Sequence, residues 1–149
     1  MPRYLPALLL CLAAAACSDA GTDPQVRVPI DGVYSLQTIN GRPLPVTLID
    51  FFNTYRLQQT GGTITLNTDR TFIERAMLRE TIEDINGPIV KDTTVVLNGA
   101  WEVEQDSVIL LTTQQDGSVL FGTVSNGRLT LHFEPNSADS LITYVYRKP

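Results

Sequence analysis

The order of apolar and polar positions divides the chain into three parts. Residues 5–16 form a continuous apolar run, and residues 17–30 are mostly polar, without apolar periodicity. From residue 31 onward, short runs rich in β-forming residues alternate with turn residues, and no stretch has helical spacing. The pattern predicts one all-β domain over residues 31–149, preceded by two segments that lie outside it.

Turn residues and alternation locate several strands. Asn126-Gly127 is a type I′ hairpin signal, because both residues tolerate positive φ. The residues that follow, 128–133, alternate strictly between polar and apolar. Residues 71–83 and 93–104 predict two long strands.

Three other segments are less regular. Gly61-Gly62 is interpreted as the turn of a further hairpin. Residues 46–52 are apolar and fit a strand, a short helix or a lid. Residues 83–88 contain Asn, Gly and Pro, which predicts an exposed loop.

Eight or nine strands with short connections favour an antiparallel meander. The free edges of an open sheet would invite pairing with other chains, so we expect the first strand to pair with the last. The predicted fold is an all-β, antiparallel, up-and-down β-barrel of 8–9 strands.

Residues 1–16 have the layout of a secretory signal. Arg3 precedes the apolar run, and the run ends in small residues. Its 12 residues are fewer than the roughly 20 that a membrane-spanning helix needs. We therefore predict a cleaved signal rather than a membrane span.

The end of the signal, Ala14-Ala15-Ala16-Cys17, resembles the lipobox of bacterial lipoproteins, in which the cysteine receives a diacylglyceryl group. The resemblance implies acyl chains such as palmitate on Cys17, and residues 17–30 as a flexible tether. Cys11 fits less well, because the bulky Leu10 precedes it. The alternative is ordinary cleavage that leaves Cys17 as a free thiol, a reactive group in an exported protein.

Lipidation would hold the protein at a membrane of the bacterial cell envelope. Ser18 directly after the cysteine favours the outer membrane, if the organism follows the enterobacterial sorting pattern. The chain has 16 Asp and Glu against 11 Lys and Arg, a net charge of −5. This balance argues against nucleic acid and anionic lipid head groups as partners.

Two tripeptides resemble the Gly-x-Trp motif of lipocalins. Gly32-Val33-Tyr34 opens the first predicted strand with Tyr in place of Trp, and Gly99-Ala100-Trp101 matches the motif in mid-chain. In lipocalins this aromatic residue packs at the barrel floor under a basic residue near the end of the barrel. The resemblance therefore implies a floor at Tyr34, covered by Arg147 through a cation–π contact. It also implies either a small apolar ligand in the barrel or a protein partner held by loops, as in bacterial metalloprotease inhibitors built on similar barrels.

Other aromatic residues are placed by strand phase. Trp101 is in phase with Leu97 and Val103, which predicts a core or cavity-wall position. Tyr144 and Tyr146 share one strand face and are expected inside the barrel, where their hydroxyl groups need hydrogen-bond partners.

Arg75 and Arg79 also share a strand face. If that face pointed inward, two guanidinium groups would suggest an anionic ligand. We favour the outward orientation, because Phe72, Ala76 and Leu78 form the competing apolar face, although Glu74 and Glu80 interrupt that face.

The sequence offers little catalytic chemistry. His132 is the only histidine and is predicted to point outward, and a lone imidazole makes neither a metal site nor a catalytic triad. Glu102, Glu104 and Asp106 alternate along one face. They fit a solvated outer surface better than a calcium site. The chain has no nucleophile elbow and no phosphate-binding glycine loop, so we predict no enzymatic activity, metal or cofactor.

The leading hypothesis is a lipid-anchored envelope lipoprotein whose barrel binds a small apolar or amphipathic ligand. The alternative is a protein-interaction module, an inhibitor or an assembly subunit. Its barrel would be packed solid and its loops, such as residues 83–92, would hold the partner.

Cys17→Ser should release the protein from membranes, because serine offers no thiol for the lipid thioether. The measurement is the share of the protein in the membrane and soluble fractions after lysis. Cys11→Ser is the matched control and should leave the protein in the membrane fraction. Unchanged membrane association of Cys17→Ser would contradict lipidation at this residue.

Overall fold

The computed structural model describes residues 29–52, 54–104, 107–134 and 141–149. The signal, Cys17 and nearly all of the tether lie outside these ranges. The strands are β1 (Gly32–Ile39), β2 (Arg42–Pro43), β3 (Val46–Phe51), β4 (Tyr55–Leu66), β5 (Thr71–Ile82), β6 (Ile89–Glu104), β7 (Val108–Thr113), β8 (Val119–Ser125), β9 (Arg128–Phe133) and β10 (Ile142–Arg147). None of the described residues forms a helix with the length and apolarity that a membrane crossing requires.

The sheet closes on itself through β1. The ten strands are hydrogen-bonded in the order β2-β1-β10-β9-β8-β7-β6-β5-β4-β3, and β1 pairs in addition with β4. β1 therefore lies between β4 and β10, so that β1 and β4 to β10 form a closed eight-stranded barrel with antiparallel neighbours. β2 and β3 extend the sheet outside the closed ring. The predicted all-β antiparallel barrel, with its first strand against its last, is confirmed.

Because side chains alternate between the two faces of each strand, every second side chain points into the barrel. In β9, Leu129 and Leu131 are buried, while Arg128 is exposed. Each Leu or Ile moved from water into this core stabilises the fold by about 1.5 to 3 kcal/mol. Among the described residues, the largest fully buried side chains are Tyr34, Ile64, Leu66, Phe72, Ile109, Leu111, Leu129, Leu131 and Tyr146.

The turn between β8 and β9 agrees with its sequence signal. Asn126 and Gly127 have φ values of 50° and 71°, and Ser125 pairs directly with Arg128. Positive φ at both central residues is the signature of a type I′ turn, whose twist matches that of the flanking strands.

The prediction of a hairpin turn at Gly61-Gly62 is wrong. β4 runs through both glycines without a turn, and its register against β5 shifts between Gln59 and Gly61. Neighbouring backbone comes close here, since a Cβ on Gly62 would lie 3.2 Å from the Arg75 carbonyl oxygen. The glycines therefore accommodate a bulge inside one long strand. Residues 46–51, ambiguous in the sequence, form β3.

β5 and β6 form a hairpin that extends beyond the closed ring. The two strands pair from Thr71 with Ala100 to Ile82 with Ile89, whereas β7 pairs only with residues 99–104 of β6. Within the described strands, residues 89–97 have no strand neighbour on that side. The tip of the hairpin is apolar and exposed, because Ile85 is 98% exposed and Ile89 is 56% exposed.

Aromatic residues close the end of the barrel at which β1 begins. Tyr34 is fully buried, and its hydroxyl group donates to the Ile30 carbonyl oxygen at 2.5 Å. Trp101 is also buried, and its Nε1 donates to the Asn67 carbonyl oxygen at 3.0 Å. The Arg70 guanidinium lies 4.5 Å from the centroid of the Trp101 ring. We call this end the floor.

Lys148, not Arg147, covers Tyr34. Lys148 Nζ lies 5.2 Å from the Tyr34 ring centroid and donates hydrogen bonds to the carbonyl oxygens of Pro29 and Asp31. The cation–π contact expected for Arg147 is therefore made by its neighbour. The reason is alternation: Tyr146 points inward, so Arg147 points outward and is exposed.

Lys148→Met should lower the free energy of unfolding by about 1 to 2 kcal/mol, because it removes the ammonium group but keeps an aliphatic stem. Arg147→Met is the matched control and should change it by less than about 0.5 kcal/mol. Urea denaturation of both variants is the measurement. A larger loss in Arg147→Met would contradict the assignment of Lys148 to the floor.

Candidate functional site

A cavity of about 260 Å³ lies at the barrel end opposite the floor. It is bounded by the inward faces of β4 to β6 and β10, the loop between β7 and β8, and the end of β9. We call it the mouth cavity. Its apolar lining residues are Ala76, Val95, Leu97, Leu120 and Phe133. The volume is slightly below the roughly 300 Å³ at which typical small-molecule sites begin, so a ligand held here must be compact.

Strand phase brings an acidic residue to this cavity. On β5, Phe72 is buried, and Glu74 and Ala76, two and four residues later, line the mouth cavity. The intervening Arg75 and, further along, Arg79 are exposed, as predicted. Arg79 pairs outside the barrel with Asp92, with Nε 2.8 Å from Oδ1.

Glu74 meets Tyr146 across the barrel. The Tyr146 hydroxyl group donates to Glu74 Oε1 at 2.7 Å, and Tyr146 is 1% exposed. Burial raises the pKa of Glu74, and the hydrogen bond from Tyr146 offsets part of that rise. Burial and then the negative charge of Glu74 raise the pKa of Tyr146 well above its ordinary value. Tyr146 is therefore a neutral hydrogen-bond donor at physiological pH.

Tyr144 adds a second phenol to the same wall. It is half-buried, lines the mouth cavity and lies two residues before Tyr146 on the inward face of β10. Burial raises its pKa, and the negative charge of Glu74 raises it further. The interior positions predicted for both tyrosines agree with the structure, and the hydroxyl partner that Tyr146 required is Glu74.

Asp116 lies at the rim of the mouth cavity. Its Oδ1 accepts hydrogen bonds from the Thr113 hydroxyl group at 2.5 Å and from the Ser118 backbone N–H at 3.0 Å. These hydrogen bonds lower the pKa of Asp116 to about 2, so the group is charged at neutral pH. Among the described residues that line the cavity, none is Lys, Arg or His. The electrostatic character of the site is therefore acidic.

A second cavity of about 330 Å³ lies beside the barrel mouth, between the end of β1, β3 and the start of β10. Ile39, Val46 and Arg42 contribute to it, and Tyr144 lines both cavities. We take the mouth cavity as the candidate site, because there an acidic group converges with an apolar wall.

The remaining candidate residues lie elsewhere. Tyr34 and Trp101 belong to the floor, at the other end of the barrel. His132 is on the outward face of β9, with Nδ1 3.1 Å from Thr143 Oγ1. Glu102 and Glu104 are exposed on β6, and Asp106 lies outside the described residues. Over the described ranges, no three His, Cys, Asp or Glu side chains form a group that could hold a metal ion.

Glu74 and Asp116 are site residues that were not selected from the sequence. The sequence signal for Glu74 is its position between Phe72 and Ala76, in the phase of the apolar face of β5. A carboxyl group in that phase faces the core and requires a partner there. The partner, Tyr146, is 72 residues away in the chain.

Comparison with known proteins gives no family assignment. No protein-family model, curated protein or solved structure matches the chain. The closed antiparallel barrel is established by its strand pairing, and the likeness to lipocalins stays a prediction.

Glu74→Gln should remove a pH-dependent loss of stability. Because the pKa of Glu74 is raised in the native state, the native protein holds this proton more tightly than the unfolded chain does. This contribution is complete below the unfolded-state pKa of about 4.3 and is lost as pH rises through the native pKa. Glutamine does not ionise and can still accept the Tyr146 hydrogen bond, so the variant should gain stability over the wild type as pH rises.

The measurement is urea denaturation of the wild type and the variant from about pH 4 to about pH 8. Glu80→Gln is the control, because Glu80 lies on the same face of β5 but does not line the mouth cavity. The same pH-dependent gain in Glu80→Gln, or no gain in Glu74→Gln, would refute the assignment.

Proposed function

We propose that the protein is a lipid-anchored lipoprotein of the bacterial cell envelope, with a lipocalin-like barrel whose mouth cavity binds a small amphipathic ligand. The observation that carries this proposal is the composition of the cavity wall. Leu97, Leu120 and Phe133 offer an apolar surface, and Glu74 and Tyr144 offer polar groups beside it. This combination is typical of sites that bury an apolar ligand and orient it through a few polar groups.

The unfilled space at the mouth favours a carrier over a solid barrel. Small eight-stranded barrels are often filled by their own side chains. Here the floor is filled in that way, whereas about 260 Å³ stays open at the mouth. A compact ligand can enter without rearrangement of the floor.

The anchor in this proposal is Cys17. About a dozen residues separate it from Pro29, where the described structure begins. Fully extended, they would span roughly 40 Å, enough to hold the barrel clear of the membrane surface. An outer-membrane location follows from Ser18 under the same sorting pattern.

A second candidate function is binding of a protein partner at the β5–β6 hairpin. Ile82, Ile85, Ile89 and Val90 are exposed around its tip. The outer edge of β6 is open to a further strand within the described part of the chain. Exposed apolar groups next to an open edge favour strand addition by another polypeptide.

Native mass spectrometry of the protein purified from its own cells tests the carrier function. We expect a small-molecule adduct on the wild type. Leu97→Trp places an indole in the mouth cavity and should abolish the adduct, whereas Val96→Trp, on the outward face of β6, should retain it.

Absence of an adduct from the wild type, or its retention by Leu97→Trp, would contradict the carrier function. The wild type without an adduct could instead co-purify with a polypeptide. Loss of that polypeptide in the Ile85→Asp variant would favour the protein-interaction module.

A further inference from the structure

The charged groups of the mouth cavity are all acidic. Glu74 faces its inner wall and Asp116 its rim, and none of the described lining residues is basic. The Glu74 carboxyl group accepts a hydrogen bond from Tyr146, a neutral donor that binds one of its two oxygens. No described residue that lines the cavity therefore supplies a cation to ionised Glu74.

We propose that the ligand of the mouth cavity is a compact monoamine, bound in its ammonium form with the nitrogen at Glu74. Its apolar part lies against Leu97, Leu120 and Phe133. This inference rests on the proposed carrier function and adds the chemical class of the ligand.

An ammonium group matches the hydrogen-bond acceptors of the inner cavity wall. It has three N–H donors and no acceptor, whereas an ionised carboxylate accepts only. The Glu74 carboxylate and the Tyr144 hydroxyl oxygen, both on the cavity wall, can receive those donors. A charge-assisted hydrogen bond in this partly enclosed site is stronger than a neutral one, and it supplies the opposite charge that a buried carboxylate requires.

Other head groups fit less well. A carboxylate or phosphate ligand would meet the negative charges of Glu74 and Asp116, with no lining cation to offset them. A neutral alcohol can donate one hydrogen bond but leaves the charge of Glu74 without a counterion. The volume of about 260 Å³ excludes ligands with long acyl chains from complete burial.

Binding of an ammonium should depend on the protonation of Glu74. The titratable groups that contact it or share the cavity with it are Tyr146 and Tyr144 from β10 and Asp116 from the rim. β4 and β6 contribute the uncharged Gln59, Val95 and Leu97. Asp116 is ionised and the tyrosines are neutral throughout the mildly acidic and neutral range. Glu74 is therefore the group in the cavity that titrates as pH falls, and its protonation removes the counterion for the ammonium.

Isothermal titration calorimetry of the purified full chain with octylamine, octan-1-ol and octanoate tests the inference. The three probes share an alkyl chain and differ in the head group. At neutral pH, octylamine should bind at least about tenfold more tightly than octan-1-ol, and octanoate should bind most weakly. Lowering the pH should weaken binding of octylamine relative to binding of octan-1-ol, so that the preference for the amine decreases.

Glu74→Gln should remove the preference for octylamine over octan-1-ol, and a cooperative urea denaturation curve is the check that the variant is folded. Glu80→Gln should retain the preference. If octan-1-ol or octanoate binds the wild type as tightly as octylamine, the amine inference is overturned and the carrier function stands. If none of the three probes binds, both are overturned.

Discussion

Pairing of β1 with β10 on one side and with β4 on the other closes the sheet, and the arrangement of the site depends on this closure. In a closed barrel each strand has one face toward the interior and one toward solvent. The inward phase of β5 therefore carries Glu74 to the inward phase of β10, where Tyr146 donates to it at 2.7 Å. The opposite phase of β5 carries Arg75 and Arg79 to the outside. Without the β1 pairing, Glu74 would lie on an open sheet face in contact with water.

The two ends of the barrel have different physical roles. At the floor, polar atoms of the aromatic residues have backbone partners: Tyr34 donates to Ile30, and Trp101 donates to Asn67. At the mouth, open space lies beside an acidic group whose pKa is raised by burial. A raised pKa means that ionised Glu74 costs native-state stability at neutral pH. In the proposed function, an ammonium ligand would relieve this cost by supplying the opposite charge.

Local patterns and the need to cover sheet edges predicted much of this fold, whereas other non-local contacts were not predicted. Asn126-Gly127 specified its turn because the signal lies in two adjacent residues, and the apolar phase of β5 oriented Arg75 and Arg79. The need to cover sheet edges predicted the pairing of the first strand with the last. The pairing of β1 with β4 was not predicted, because alternation within one strand carries no information about its neighbours. For the same reason, the contact between Tyr146 and Glu74 could not be predicted from the sequence. The hairpin turn was wrongly predicted at Gly61-Gly62 because paired glycines suit a turn and a bulge equally.

The central claim is that Glu74, a partly buried acid at the barrel mouth, binds a cationic ligand. A ¹³C NMR titration of the Glu74 side-chain carboxyl carbon, with and without octylamine, tests this claim. The structure predicts that without octylamine the pKa of Glu74 lies above the ordinary glutamate value, because the carboxyl group is buried. It also predicts that octylamine lowers this pKa, because the ammonium stabilises the ionised carboxylate. An ordinary pKa that octylamine leaves unchanged would contradict the claim.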